Sequence, residues 1–153
     1  MRYLLLRQAN NQDFSDGEWL LLLVTRTGLD SALVKDWQSR IEGATGLLWV
    51  EQSSTAGAIV PEREHLLAGQ ERIEQRLGPL TFRLGWRSFF QSNPPAYLML
   101  LEQLKSWLLP LRPSSLLDLY CGIGSIGLYV APVGCRLVGV ENMAPAIDDA
   151  RRC

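Results

Sequence analysis

Histidine is almost missing from this chain: His65 is the only one among 153 residues. A lone imidazole leaves no metal-ligand cluster, because structural and catalytic centres need roughly three or four ligands at short spacings, so no metal is expected. Cysteine is scarce as well. Cys121, Cys135 and Cys153 cannot all pair, and no two of them form a C-x-x-C spacing. That is the usage of a reduced, intracellular protein rather than a disulfide scaffold. Long apolar runs are lacking too. The longest, Trp19 to Val24 among them, have six residues, against the roughly 18 needed to cross a bilayer. The opening MRYLLLRQANN has no signal-peptide cleavage pattern. The expected setting is therefore soluble and cytoplasmic, without a membrane partner.

An excess of one charge is also absent. Fifteen Lys and Arg stand against 16 Asp and Glu, for a net charge of −1. This excludes the basic footprint of an autonomous nucleic-acid binder, though a local patch for an RNA substrate fits inside a neutral total. What is present is core material. Hydrophobic residues make up 47% and charged residues 20%, which excludes a disordered chain. The length suits about one domain of roughly 150 residues. No internal repeat or low-complexity tract interrupts it.

The first half reads as mixed α/β. Tyr3–Arg7 and Trp19–Thr25 are apolar runs separated by the turn-rich stretch NNQDFSDGE, and they read as an antiparallel hairpin with a long loop. Asp30 is placed to cap a helix over Ser31–Ile41, with Leu33, Val34, Trp37 and Ile41 on one stripe. Gly46–Val50 reads as a third strand, followed by the polar loop QSSTAGA and a stop at Pro61. Gln70–Leu77 fits either a helix, by its charges, or a strand, by Ile73, Gln75 and Leu77. Leu80–Leu84 alternates as a strand after the Gly78-Pro79 turn.

Near Gly85 the pattern changes to a helix followed by strand–helix–strand units. Asn93-Pro94 opens a helix to about Leu109, with Leu98, Leu101, Leu104 and Leu108 on one face, and Pro110 and Pro113 end it. Leu116–Tyr120 reads as a short buried strand running into Cys121-Gly122-Ile123-Gly124-Ser125-Ile126-Gly127. A helix from Ser125 to about Ala131, a strand over Arg136–Val140 and a helix near Pro145 follow.

Gly122, Gly124 and Gly127 make a G-x-G-x-x-G pattern between a predicted strand and a predicted helix, and Glu141 lies 19 residues after Gly122 at the end of the next strand. This context turns a glycine triplet into a nucleotide-site hypothesis. Glycines permit a tight turn and close backbone approach, and a strand-end carboxylate can accept hydrogen bonds from ribose hydroxyls. The ligand expected from the pattern contains adenosine.

The wording LLDLYCGIGSIGL resembles the first motif of class I S-adenosylmethionine-dependent methyltransferases. More narrowly, the chain is similar to the RNA (uracil-5-)-methyltransferase family, which makes 5-methyluridine in ribosomal or transfer RNA. Arg87-Ser88-Phe89-Phe90-Gln91-Ser92-Asn93 is similar to that family's S-F-F-Q-x-N segment. Val138-Gly139-Val140-Glu141, followed by Ala146-Ile147 and Ala150, forms a further block, and Leu66–Leu84 resembles its strand hairpin. The resemblance covers about residues 57 to 153. Together with the change of pattern at Gly85, it gives the expectation of an α/β fold in two parts: a central mixed lobe over 1–85, then, over 86–153, the first βαβ portion of a Rossmann-like methyltransferase domain. It implies S-adenosylmethionine as cofactor, with Gln91, Tyr120, Gly122, Gly124 and Glu141 as contacts. Ser125 stands where some relatives carry an asparagine that touches the cofactor.

In that family a cysteine thiolate adds to the uracil ring and a base later removes a proton. In relatives both groups lie beyond the second strand of the cofactor fold, so no catalytic residue is assigned in this chain. Cys121, Cys135 and Cys153 match no nucleophile motif. The chain ends at Arg151-Arg152-Cys153 inside a predicted helix. It therefore reads as the middle of a longer enzyme, inactive alone, with an open strand edge and an uncovered apolar face. The substrate implied is RNA, with 23S rRNA favoured over tRNA. Two other readings stand beside it: a fragment of a nicotinamide-dependent oxidoreductase, supported by the glycine fingerprint alone, and a non-catalytic interaction module.

Overall fold

The computed structural model describes residues 2–10, 16–54 and 59–153. The centre of the NNQDFSDGE turn and most of the QSSTAGA loop lie outside the described residues. The chain divides into two compact units, one built from residues up to Ala9 and Asp16–Ile73, the other from Asn10 and Glu74–Cys153.

The first unit is a four-stranded sheet in the order β1-β2-β3-β4, formed by β1 (Tyr3–Asn10), β2 (Asp16–Thr25), β3 (Gly46–Glu51) and β4 (Arg63–Gly69). The Arg2 N–H donates to the Val24 carbonyl at 2.7 Å, so β1 starts beside the end of β2, as the expected hairpin requires. β2 and β3 run parallel, from Leu20 opposite Gly46 to Thr25 opposite Glu51. Parallel strands need a crossover, and α1 (Ser31–Arg40) supplies it. Asp30 caps that helix, its side chain accepting the Ala32 N–H at 3.0 Å. The continuous run Leu20–Val24 is explained by its central place in the sheet. Leu20, Leu22, Leu23 and Val24 are all buried, as are Leu47, Leu48 and Val50 beside them.

β4 is a strand that the sequence pattern does not announce. It pairs antiparallel with β3, with a register shift between Leu47 and Leu48, and its residues are mostly exposed. With neither face buried there is no alternation to read. The ladder to β3 holds it, together with the His65 ring stacked on Trp49 at 4.5 Å.

The remaining elements are the hairpin of β5 (Arg72–Leu77) and β6 (Leu80–Gly85), then α2 (Pro94–Leu108), β7 (Ser115–Leu119), α3 (Ser125–Val130), β8 (Arg136–Val140) and α4 (Ala144–Ala150), all in the second unit except the first two residues of β5. The ambiguous Gln70–Leu77 stretch is a strand, because Ile73, Gln75 and Leu77 all face the interior. Gln75 meets the requirement that a buried amide be hydrogen-bonded by donating to the Arg76 carbonyl at 2.8 Å. Asn93 caps α2, accepting the Ala96 N–H at 3.1 Å. The core gathers Phe82, Leu84, Tyr97, Leu101, Ile123, Tyr129 and Val130. Phe90 sits 5.8 Å from both the Phe82 and the Tyr97 rings.

Two expectations change here. The pattern break at Gly85 suggests a lobe over 1–85, but residues 74–85 group with the C-terminal unit. The cause is side-chain packing: Phe82 joins Phe90, and the Gly85 N–H donates to Asp149 at 2.9 Å. The strand expected to be buried at Leu116–Tyr120 is half-buried on one face and exposed on the other. β7 and β8 form a separate two-stranded parallel sheet, on which Leu117 and Leu119 are each 59% exposed and Val140 is 49% exposed. Two strands cannot cover both of their faces, so this apolar face stands open.

Candidate functional site

The parallel pairing of β7 and β8 puts Leu119 opposite Val140, so both strands deliver their C-terminal ends to one edge. In open α/β sheets this is where ligands bind. The chain leaves β7 through Tyr120, which adopts a left-handed φ of 58° and is 89% exposed. Such a conformation is uncommon for a bulky residue and marks a constrained turn. Gly122 (φ 55°) and Gly124 (φ 77°) continue the turn in the region that favours glycine. The Cys121 N–H donates to the Val140 carbonyl at 3.1 Å, carrying the pairing one step past the strands.

Glu141 closes the turn. Its carboxylate accepts the N–H of Gly122 at 2.9 Å on one oxygen, and those of Asn142 at 2.8 Å and Met143 at 2.9 Å on the other. These three donors, Met143 foremost, hold its pKa below the usual carboxylate value. The same contacts fix the entry to α4. A Cβ at Gly122 would meet nothing within 4 Å, so open space lies against the turn.

Gly127 has a different reason to be glycine. A Cβ there would fall 2.8 Å from Leu137 and 2.9 Å from Asp118, so α3 lies closely against β7 and β8. Asp118 accepts the Gly127 N–H at 2.9 Å, which ties the helix to the strand preceding the turn. Asp118 is a polar residue inside the apolar run LLDLY, and that interruption is the sequence signal for its role.

The five residues expected at the site fall into two groups. Tyr120, Gly122, Gly124 and Glu141 are together at the ends of β7 and β8. Gln91 is on the segment before α2, exposed. A chain of contacts leads from that segment to the turn: Asn93 caps α2, and Tyr97 of α2 shares a 2.7 Å hydrogen bond with Ser125, the first residue of α3. The Ser125 hydroxyl is buried in this contact. Burial, and secondarily Asp118, push the Tyr97 pKa up.

Two of the three cysteines, Cys121 and Cys153, offer little as nucleophiles. Burial, then Asp118, then Glu141, push the Cys121 thiol up, away from the reactive thiolate. Cys153 is also raised, chiefly by burial. His65 is engaged with Trp49 in the other unit. Among the described residues, no group of three or more His, Cys, Asp or Glu could hold a metal ion, and no helix is long and apolar enough to cross a membrane.

Comparison with known proteins adds kinship. No family model matches the chain. It is 36% identical over 131 residues to the tRNA (uracil-5-)-methyltransferase homolog A of Mus musculus, a match covering 81% of this chain and 21% of that protein. It is 32% identical over 142 residues to an uncharacterized RNA methyltransferase of Halalkalibacterium halodurans, covering 90% of this chain and 30% of that one. The crystal structure of Pyrococcus abyssi tRNA (uracil-54, C5)-methyltransferase in complex with S-adenosyl-L-homocysteine matches with a TM-score of 0.74 and 25% identity, covering 98% of this chain and 35% of that one. The chain thus spans between a fifth and about a third of the length of these relatives.

Proposed function

The chain belongs to the RNA (uracil-5-)-methyltransferase family, and from that premise we propose that it supplies the S-adenosylmethionine-holding part of an enzyme that methylates uridine at C5 in RNA. The observation that carries this reading is the contact between Gly122 and Glu141. A positive-φ glycine turn after β7 is fastened at 2.9 Å to the acidic residue ending β8, with open space beside it.

The residues fit such a cofactor. When bound, S-adenosylmethionine brings an electrophilic methyl group on its sulfonium sulfur. Glu141 would hold the ribose: its carboxylate is ionised, fixed by three backbone donors, and has lone-pair capacity left for hydroxyl donors. Gly122 and Gly124 would allow the backbone to approach, and the exposed Tyr120 ring would lie beside the ligand. Gln91 would reach in from the segment before α2. No residue here is assigned to proton removal or to attack on the uracil ring, so the 153 residues by themselves are proposed to bind the cofactor weakly and not to turn over.

The proposed RNA is 23S rRNA. The names of the mouse and Pyrococcus relatives speak of tRNA and favour tRNA as a second reading. The proposed location is the cytoplasm, where the thiols of Cys121, Cys135 and Cys153 would stay reduced. Calorimetry of the purified chain with S-adenosylhomocysteine and with NAD tests the cofactor. Uptake of the first alone is expected, and uptake of NAD alone would overturn the proposal.

A further inference from the structure

Asp149, on the inner side of α4, is only 2% exposed, an unusual place for a carboxylate. One of its oxygens accepts the backbone N–H of Gly85 at 2.9 Å and also the hydroxyl of Ser88. Both donors belong to the turn that leaves β6, which the Ser88 N–H closes onto the Gly85 carbonyl at 3.3 Å. Three residues further on is Gln91. The segment is held on its other side as well, since Phe90 is wedged between Phe82 and Tyr97 and Asn93 caps α2. Gln91 itself is exposed, so its position depends on these neighbours.

The helix that carries Asp149 is in turn set by the ribose-end acid. Glu141 accepts the N–H groups of Asn142 and Met143, and Met143 is the residue on which α4 begins. One seven-residue helix therefore has Glu141 at its entrance and the Gly85–Ser88 turn fastened near its end. An apolar side chain at 149 would fill the same space, but it would leave the Gly85 N–H and the Ser88 hydroxyl without this acceptor. A carboxylate fixes the path of the backbone itself.

We propose that Asp149 is a positioning residue: it anchors the 85–91 segment to α4 and so sets where Gln91 stands relative to Glu141 at the cofactor site. This rests on the cofactor reading above. Asp149 touches no cofactor and acts through Gln91.

The test is a double-mutant cycle on the 153-residue chain, read by calorimetry with S-adenosylhomocysteine. Asp149→Ala is expected to weaken binding about tenfold, the scale of a lost charge-assisted hydrogen bond. Asp149→Asn keeps an oxygen acceptor and should restore most of the affinity. In a Gln91→Ala background, Asp149→Ala should cost less than about twofold, because the residue it positions is gone. Equal losses in both backgrounds would mean a merely structural role and overturn the proposal. Should Asp149→Ala fail to fold, Ser88→Ala removes one donor only and enters the same cycle. Hydrogen exchange gives a reading independent of ligand: amides of 85–91 should exchange faster in the variant, with Gly122 and Gly124 unchanged. Unaltered exchange at 85–91 would also overturn the anchoring. If the unmodified chain takes up no S-adenosylhomocysteine, the cofactor reading and the role of Gln91 both fall, while the exchange result still decides whether Asp149 anchors the segment.

Discussion

The Glu141 carboxylate accepts the Gly122 N–H at 2.9 Å across the ends of two parallel strands, so the acid proposed to hold the ribose also shapes the glycine turn beside it. Glu141→Ala should therefore do two things together. Affinity for S-adenosylhomocysteine should fall about tenfold or more, and exchange at the Gly122, Asn142 and Met143 amides should quicken. Glu141→Gln keeps a single acceptor oxygen, enough for the Asn142 and Met143 donors or for Gly122 but not for both, and should loosen part of the turn while losing part of the affinity. Calorimetry and hydrogen exchange on the same samples check both, and unchanged affinity in Glu141→Ala would remove this residue from the site.

The pH dependence is set by the same contacts. Glu141 has a pKa lowered by the Met143, Gly122 and Asn142 donors. A depressed carboxylate contributes its stability above the unfolded value and loses it as pH falls through the folded value. The turn and its ligand affinity should hold steady from neutral pH to about 5 and weaken only at more acid pH. Titrating affinity against pH, with Glu141→Gln as the non-ionising control, measures this. A midpoint near 6 would contradict it.

How much of the fold and the site is legible in the sequence depends on where the physical signal lies. The two capped helices are readable because Asp30 and Asn93 precede stretches of helical spacing, and both side chains accept a first-turn N–H. The glycine turn is readable because Gly122, Gly124 and Glu141 carry backbone and charge requirements at a fixed distance. β4 is not, since an exposed strand has no alternation. Asp149 is not either. It looks like one acid of the pair Asp148-Asp149, and only the fold separates the buried carboxylate from its exposed neighbour. The unit boundary falls before Gly85 because the hairpin of β5 and β6 resembles the earlier strands in pattern but packs against Phe90 and Asp149.

Tyr129 supplies a prediction at the alkaline end. Its hydroxyl donates to Glu102, and burial first, then this acceptor and its charge, push its pKa up to about 12. Unfolded tyrosine ionises near 10. A raised pKa means the folded state keeps a proton that the unfolded chain releases, so stability is intact below about pH 10 and lost between about 10 and 12. Tyr129→Phe should flatten that part of the profile. Circular dichroism with absorbance at the phenolate band tests this, and an identical alkaline transition in the variant would refute it.

The last prediction concerns turnover. Positioning a methyl donor does not activate a uracil carbon, because that requires a thiolate to add to the ring first. Cys121 is the cysteine nearest the glycine turn, and burial with Asp118 and Glu141 keeps it protonated. Its alkylation by iodoacetamide should be slow at pH 8 and rise only above the ordinary thiol value, and Cys121→Ser should leave S-adenosylhomocysteine binding intact. Cys153 is likewise raised by burial. A radiolabelled-methyl assay of the pure 153-residue chain on unmodified 23S rRNA and tRNA should therefore stay at background, although the cofactor is bound. Measurable 5-methyluridine, abolished by Cys121→Ser, would make Cys121 the nucleophile and reverse the assignment of this chain to binding alone.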